Sequence, residues 1–494
     1  MGGGANRLED MQMSIDGRHL FVATVDIDSG LTRVQAVDRE KGEPVWSVEL
    51  GGSEGGLGER AALRPTPDGK HVMVVRHVVP VEGPERVLLE RLDAPDGSTS
   101  AQIELPKPDL GLANLRLREV FIRPDAGRIV LMWLHFASPS TYRAAVSVHD
   151  PTDGTTLWVG GPWPGLTWES TYSGDGGRVF VSLQAWVSGQ WDYRTFAFSS
   201  ENGTLIWSSD FVGRGTGLAD GPREMTLARN GSRLYVSGFT EARSGIWDWA
   251  TVAYDVATGA ELWTTRFEIG AFFAQPDTLG VAPDDSRLYV GGGQSFGGDT
   301  TVLAYDAATG TQVWRSDYSR PGSGIEFHTE LLPTADGLRL LAVGTHVVTG
   351  SAHDYTTMAL NATNGVREWV AHFNASARDD DIAYRGLLGP DESSIYVAGL
   401  SRLPGSVQVM VVSYPVVAPV VTQKVVPFVG AECDVHSQGN ARLQCGAVAP
   451  RFELGCQAKW NPGVASAECA AGAAGQRLSC RAQSAGSQPV RCPD

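Results

Sequence analysis

The chain has 494 residues, of which 42% are hydrophobic, 59 are glycine and 27 are proline, which suits a packed core with many tight turns. Its formal net charge of −16 argues against nucleic-acid binding, which needs clustered lysine and arginine. No stretch is long and apolar enough to predict a membrane-spanning helix, and the first ten residues lack the apolar core of a signal peptide. We expect a folded monomer with no nucleic-acid partner and no transmembrane segment.

An eleven-residue pattern recurs six times along the chain: a small residue, then a turn that ends in glycine, then a tryptophan four residues later. The clearest copies are residues 253–263 (AYDVATGAELW) and 304–314 (AYDAATGTQVW). The tryptophans that end the six copies are Trp46, Trp158, Trp207, Trp263, Trp314 and Trp369. A degenerate seventh copy, residues 91–101, has Ala101 in the tryptophan position.

The period of this repeat predicts the architecture. The turn glycines stand 49 to 57 residues apart, at positions 42, 97, 154, 203, 259, 310 and 365. Such a period is typical of four short strands with their loops, the blade of a β-propeller. An eighth unit begins at Gly386 and lacks the glycine and tryptophan signature. We predict an all-β protein with an eight-bladed β-propeller over residues 1–416, with seven blades as the alternative.

The recurring tryptophans are predicted to pack between blades. A single four-stranded sheet cannot bury both of its faces, so each blade must stack on its neighbours. Tryptophan is large enough to span that gap, and a glycine opposite allows the ring to approach the backbone closely. Stacking of a sugar or a quinone on these rings is the alternative, which we do not favour because the residues recur at every period.

The C-terminal part of the chain has a different composition. After a Val/Pro-rich linker (417–430), the segment 431–494 contains every cysteine of the protein: Cys433, Cys445, Cys456, Cys469, Cys480 and Cys492. It also has a two-fold repeat, in which the first three cysteines correspond to the last three. An even number of cysteines in a small Gly/Ala/Ser-rich segment predicts a disulfide-rich β module. A zinc site is disfavoured because no Cys-x-x-Cys pair is present.

Six cysteines allow 15 pairings, so the disulfide connectivity stays open. Because disulfides persist in oxidising compartments, the module implies export to the extracellular space or the cell envelope. We expect that the signal peptide has been removed or that the start of the chain is truncated.

The repeat at residues 253–263 and 304–314 resembles that of pyrroloquinoline quinone-like (PQQ-like), or quinoprotein-type, β-propellers. Strands such as residues 233–236 (RLYV) are also similar to those of YVTN-type surface propellers, a WD40-like group. The resemblance implies that the tryptophans lock blades together, and that many relatives are non-catalytic scaffolds. Quinoprotein alcohol dehydrogenases carry adjacent cysteines against their cofactor, and residues 1–416 contain no cysteine. The resemblance therefore implies the fold without the enzymatic activity, and we expect no cofactor, no catalytic residue and no metal site.

Four aspartates occupy one repeat-equivalent position, five residues before the small residue that opens the turn motif: Asp192, Asp248, Asp299 and Asp354. They could ring an end of the channel and hold a cation. We favour a structural role, in which each accepts backbone N–H bonds where the third strand begins.

One weak candidate for an interaction surface consists of aromatic residues on loops before the third strand, together with the neighbouring aspartates: Trp191, Asp192, Trp247, Asp248 and Trp249. Trp186, Phe272, Phe273 and Phe296 could extend it. Packing of adjacent loops explains these aromatic residues about as well as ligand binding.

These observations favour a non-enzymatic scaffold, outside the cytoplasm, that binds a protein, a glycan or an envelope component across one face of the propeller. A quinone-dependent oxidoreductase using the central funnel is the alternative. A propeller hydrolase or lyase is a third hypothesis, which would need convergent histidine and carboxylate side chains at the channel mouth.

Overall fold

The computed structural model describes residues 6–26, 29–51, 60–80, 84–112, 115–138, 141–187, 189–213, 219–243, 246–272, 275–293, 300–318, 327–348, 352–375, 380–403, 406–417 and 424–427, and five short strands after residue 430. Within these ranges the regular structure consists of β-strands. Among the described strands, every pair is antiparallel and joins neighbours in sequence, as short turns allow.

Two four-stranded sheets begin the chain. Their strands are β1 (Asn6–Met13), β2 (His19–Asp26), β3 (Thr32–Asp38) and β4 (Pro44–Leu50), then β5 (Arg60–Pro65), β6 (His71–Val78), β7 (Arg86–Asp93) and β8 (Thr99–Leu105).

A seven-stranded sheet follows. Its strands are β9 (Leu115–Ile122), β10 (Ile129–Ser138), β11 (Thr141–His149), β12 (Thr156–Tyr172), β13 (Arg178–Val187), β14 (Gln190–Ser199) and β15 (Leu205–Phe211). The long strand β12 is shared by two halves of this sheet. Residues 156–164 pair with β11, and residues 165–172 pair with β13. The sheet is therefore two four-stranded units joined end to end through one continuous strand.

Four more four-stranded sheets complete the propeller. Their strands are β16 (Asp220–Leu227), β17 (Arg233–Arg243), β18 (Ile246–Asp255) and β19 (Glu261–Phe272); β20 (Gln275–Val281), β21 (Arg287–Gly293), β22 (Thr300–Asp306) and β23 (Gln312–Tyr318); β24 (Phe327–Pro333), β25 (Arg339–Val348), β26 (Ala352–Asn361) and β27 (Arg367–Phe373); β28 (Asp381–Leu388), β29 (Ser394–Leu403), β30 (Ser406–Pro415) and β31 (Lys424–Pro427).

The last strand of the propeller lies inside the segment predicted as a linker. Lys424–Pro427 pairs with residues 410–413 of β30, so the linker 417–430 contributes the fourth strand of the final sheet. Of the two prolines in the predicted linker, Pro427 ends β31, where a missing N–H is tolerated, and Pro419 lies outside the described residues.

The first strands of the units form a closed ring. In order, β1, β5, β9, β12, β16, β20, β24 and β28 each contact the next, and β28 contacts β1. The buried apolar side chains form clusters shared by successive sheets, including one that joins the first and last sheets through Met11, Val22, Tyr396 and Val411. The all-β propeller predicted from the repeat is confirmed by this arrangement.

Five strands are described in the segment 431–494. They are β32 (Cys433–Asp434), β33 (Gln444–Cys445), β34 (Gly455–Asn461), β35 (Val464–Ala470) and β36 (Arg477–Ala482). The first two pair with each other, and the last three form an antiparallel sheet in chain order. Cys492 lies outside the described residues.

Candidate functional site

The six repeated tryptophans lie between neighbouring sheets. In each case the indole Nε1 donates a hydrogen bond of 2.8–3.1 Å to a backbone carbonyl of the next sheet; the pairs are Trp46–Ala94, Trp158–Ser200, Trp207–Val256, Trp263–Ala307, Trp314–Ala362 and Trp369–Val416. At the degenerate copy, Ile103 rather than Ala101 faces the next turn glycine, Gly154. The rings thus pack between units, with Trp46 partly exposed and the other five buried.

A ring of charged side chains lines the channel formed by the first strands. Seven of the eight first strands contain a β-bulge, and the residues after the bulges are Asp10, Glu119, Glu169, Glu224, Thr278, Glu330 and Arg385. The eighth strand, β5, has no bulge and places Ala62 at the corresponding register. A bulge re-aims side chains locally and is common at barrel and channel rims. Five carboxylates and one guanidinium therefore share one level of the channel.

Arg385 lies among these carboxylates. Its Nη1 is 3.4 Å from Glu330 Oε1, and its Nε is 3.7 Å from Asp10 Oδ1. Asp10 also accepts a hydrogen bond of 2.8 Å from the backbone N–H of Leu63, which ties β1 to β5. One guanidinium cannot neutralise five carboxylates, so the ring has an excess of acid groups.

The excess is accommodated by protons. Burial raises the pKa of Glu119 to about 7, against the opposing effect of Arg60 and Arg118. Burial and the nearby Glu330 carboxylate raise the pKa of Glu224 to about 8. Burial also raises the pKa values of Glu169 and Glu330. These four glutamates therefore keep their protons to a higher pH than exposed glutamates do.

Sequence analysis missed the ring, although a signal was present. Each member stands seven residues before the residue with positive φ in the first turn of its unit, as Glu224 stands before Gly231 and Arg385 before Glu392. The residue type varies around the ring, and its members come together only when the first strands close on one another.

Three of the predicted aspartates lie on the third strand of their units, near the hairpin that joins the second strand to the third. This end of the propeller is opposite the first turns. Asp192, Asp248 and Asp354 are buried, and Asp299 lies outside the described residues. Asp192 Oδ1 accepts a hydrogen bond of 2.8 Å from Gln190 Nε2, and Asp354 Oδ1 accepts one of 2.5 Å from Asn374 Nδ2. These contacts are made within the propeller wall, so the three described aspartates do not form a ring around the channel.

The side chain of Asp192 lies beside that of Asp220 of the next unit. Asp220 also accepts backbone hydrogen bonds from Gly213 at 2.7 Å and Glu241 at 3.2 Å. Burial, together with the hydrogen bond and the charge of Asp220, raises the pKa of Asp192 to about 7. A protonated Asp192 can therefore donate a hydrogen bond to Asp220, which would join β14 to β16.

An aromatic patch stands on the same end of the propeller. It consists of Phe136 and Tyr142 from the β10–β11 hairpin and Trp186 and Trp191 from the β13–β14 hairpin. The ring centroids of Phe136 and Tyr142 are 5.2 Å apart, those of Tyr142 and Trp191 are 6.5 Å apart, and those of Trp186 and Trp191 are 5.3 Å apart. Phe136 is 50% exposed and Trp186 is 52% exposed.

The other residues of the predicted interaction surface lie apart from this patch or within the core. Trp247 stacks on Phe239 with the ring centroids 4.0 Å apart. Trp249 is only 1% exposed, because Gly292 of the next sheet leaves room for its ring. Trp249 was therefore wrongly placed on the surface. Nothing is described of the Phe272 side chain, and Phe273 and Phe296 lie outside the described residues.

A buried serine–histidine pair exists in the third unit. Ser147 Oγ lies 2.8 Å from His149 Nε2 and accepts a hydrogen bond of 2.8 Å from Trp133 Nε1. Both Ser147 and His149 are fully buried, and burial lowers the pKa of His149 to about 4. A neutral histidine without access to substrate serves packing, so this pair gives no support to a hydrolase.

Among the described residues, no three His, Cys, Asp or Glu side chains are grouped so that they could hold a metal ion. The same part of the chain contains no helix that could cross a membrane.

Comparisons with known proteins agree with the repeat. The family model of the outer membrane protein assembly factor BamB matches residues 248–407. The quinohemoprotein alcohol dehydrogenase of Comamonas testosteroni is 30% identical over 168 residues, which cover 32% of this chain and 22% of that enzyme. The chain therefore spans less than a quarter of the length of this curated relative.

Two solved structures show the same fold at low identity. Chaetomium thermophilum Sqt1 bound to the N-terminus of ribosomal protein L10 has a TM-score of 0.52 and 13% identity, with 80% of this chain and 94% of that chain covered. The dihydro-heme d1 dehydrogenase NirN in complex with DHE also has a TM-score of 0.52, with 12% identity and coverage of 83% and 74%. The family-model match and the similarity to the quinohemoprotein alcohol dehydrogenase support PQQ-like β-propeller repeats in this chain, and the two solved structures show the propeller fold alone.

Proposed function

We propose that this protein is a non-catalytic, eight-bladed propeller scaffold, outside the cytoplasm, that docks a protein partner on its aromatic patch. A glycan or another envelope component is the alternative occupant of the same patch. The observation that carries the proposal is the exposure of Phe136 and Trp186 side by side on adjacent hairpins.

The turns and the ring of first strands support a count of eight blades. Each unit has one residue with positive φ at its first turn: Gly17, Gly69, Ala126, Gly176, Gly231, Asp285, Gly337 and Glu392. Dividing the seven-stranded sheet at Gly165 of β12 assigns one of these turns to each four-stranded unit. Eight blades fit this count better than seven.

The aromatic patch has the composition of a binding surface. Exposure of tryptophan and phenylalanine side chains to water is unfavourable, and clusters of them are enriched at protein interfaces. Aromatic side chains also supply most of the binding energy in many interfaces, because they are large and have few rotatable bonds. Two edge-to-face contacts hold Tyr142 and Trp191 in place beneath the exposed rings.

An extracytoplasmic location is supported by the composition of the chain. All six cysteines lie in 431–494, which suits an oxidising compartment. The family model that matches residues 248–407 describes an outer membrane protein assembly factor. A role in the cell envelope is consistent with both observations.

Site-specific photo-crosslinking in intact cells tests the docking surface. A benzophenone amino acid replaces Phe136 or Trp186 in one set of cells, and Leu338 in the control. Leu338 is 58% exposed and follows a first-turn residue, so it lies at the opposite end of the ring. We expect one discrete adduct from positions 136 and 186 and none from 338. The same adducts from all three positions, or none from 136 and 186, would contradict the proposal.

The chemical nature of the adduct decides the class of partner. Peptides identified by mass spectrometry indicate a protein, whereas an adduct that is lost on glycosidase treatment indicates a glycan. Trp186→Ser should abolish the adduct formed at position 136, because both side chains belong to one patch.

A further inference from the structure

The six cysteines of the C-terminal segment fall into three stretches with one layout. Each stretch has a cysteine at both ends and a glycine near the middle; the cysteine pairs are 433/445, 456/469 and 480/492, with glycines at 439, 463 and 486. The first cysteines of the stretches are 23 and 24 residues apart. The segment is thus a three-fold repeat of cysteine-ended stretches in sequence, a finer division than the two-fold repeat described above.

Strand register supports the first two pairs independently. Cys433 of β32 lies directly opposite Cys445 of β33, and Cys456 of β34 lies directly opposite Cys469 of β35. Residues directly opposite in an antiparallel pair have Cα atoms about 4.5 or 5.5 Å apart. A disulfide spans Cα separations of roughly 4.4–6.8 Å. The backbone therefore brings both pairs within bonding range.

The third pair follows from the remaining cysteines. Cys480 of β36 lies opposite Ala467, so the described register brings it against no cysteine. Cys492, outside the described residues, stands at the same sequence distance from Cys480 as Cys445 does from Cys433. We propose that the segment 431–494 consists of three successive hairpins, each closed by its own disulfide: Cys433–Cys445, Cys456–Cys469 and Cys480–Cys492.

Each bridge forms by exchange with a disulfide donor, either a protein oxidant of the export pathway or oxidised glutathione in vitro. The two thiols lose two protons and two electrons to form the S–S bond, and the donor is reduced to two thiols. Because every loop closed is short and local, no bridge ties one hairpin to another. The three hairpins should therefore be reduced and oxidised independently.

A non-reducing tryptic map distinguishes all 15 pairings. Trypsin cleaves after Lys424, Arg442, Arg451, Lys459, Arg477, Arg481 and Arg491, which places every cysteine on a peptide of its own. Full-length protein is recovered from an oxidising compartment, or refolded with glutathione, alkylated and digested. We expect three linked products, joining peptides 425–442 to 443–451, 452–459 to 460–477, and 478–481 to 492–494. Any other linked pair, or alkylated cysteines in the oxidised protein, would overturn the proposal.

Single substitutions test the independence of the hairpins. Cys433→Ser should leave one alkylated thiol, at Cys445, while the other two linked products persist. Cys456→Ser should free Cys469 alone. Release of a thiol on any other peptide would show a different pairing. Since residues 1–416 contain no cysteine, the thiol count reports on this segment whatever the propeller binds.

Discussion

Trp263 packs so closely on Gly310 of the next sheet that a Cβ atom added to the glycine would lie 2.6 Å from Cε3 of the indole ring. The same tryptophan donates a hydrogen bond of 3.1 Å to the carbonyl oxygen of Ala307. One side chain thus fastens two blades by both packing and hydrogen bonding. The repetition of this contact explains why glycine and tryptophan recur together along the chain.

Gly310→Ala should destabilise the propeller by about 2–4 kcal/mol. The glycine has φ of +72°, which costs an alanine about 1 kcal/mol, and the clash with Trp263 adds about 1–3 kcal/mol. Gly231→Ala is the matched control, because Gly231 has φ of +70° and nothing within 4 Å of an added Cβ. The urea concentration at the midpoint of unfolding should fall much further for Gly310→Ala than for the control. Equal decreases would contradict the claim that Trp263 packs on Gly310.

Glu90→Gln should cost about 3–5 kcal/mol, because it breaks a buried ion pair. Arg76 Nε and Nη2 donate to Glu90 at 2.7 and 2.8 Å, and both side chains are almost fully buried. Asp210→Asn is the control: it breaks a pair of the same geometry with Arg194, but about a third of each side chain is exposed. The control should cost about 1 kcal/mol or less in urea unfolding. Similar losses in the free energy of unfolding for the two variants would contradict the claim that burial makes the Arg76–Glu90 pair costlier to break.

Asp192→Asn should reduce the loss of stability at alkaline pH. Because the folded pKa of Asp192 is raised to about 7, its contribution is fully present below the unfolded pKa near 4 and is lost as pH rises through 7. The amide can donate an N–H to Asp220 at every pH, so the contact between residues 192 and 220 no longer depends on a titrating proton. Melting temperatures at pH 5.5 and pH 8.5 should differ less in the variant than in the wild type. An unchanged difference would exclude a shared proton.

Glu224→Gln tests the channel ring, and it too should reduce the loss of stability at alkaline pH. The pKa of Glu224 is raised from 4.5 to about 8, so its contribution to stability is fully present below about pH 4.5 and is lost as pH rises through 8. Since the side chain keeps some contact with channel water, we expect a relief of about 1–2 kcal/mol at pH 9. Glu40→Gln, at an exposed turn, should leave the pH dependence unchanged. Equal pH profiles for the wild type and Glu224→Gln would contradict the protonated ring.

The propeller could be predicted from sequence because its packing device is periodic. Each unit repeats the glycine of its turn and the tryptophan that meets the next turn, so the period is visible without any structure. Strand β12 was not predictable in the same way. Residues 160–165 (GGPWPG) have the composition of a loop, yet they continue a strand that joins two units, because pairing with β11 and β13 overrides local preference.

The candidate site was predicted only in part. Trp186 and Trp191 were identified from their place on a loop before the third strand, but Phe136 and Tyr142 come from the preceding unit. Sequence does not show that these two hairpins meet until the units are assigned to neighbouring blades. The carboxylates of the channel were missed for a related reason, since their position recurs while their residue type changes to Ala62, Thr278 or Arg385.

Titration of the purified full-length protein with pyrroloquinoline quinone and Ca²⁺ tests most directly whether this propeller is a scaffold or an enzyme. Absorbance reports cofactor binding, and the melting temperature reports its linkage to folding. We predict no saturable spectral change and no shift of the melting temperature at any cofactor ratio. Stoichiometric binding with a rise of several degrees would contradict the account and identify a quinone-dependent oxidoreductase.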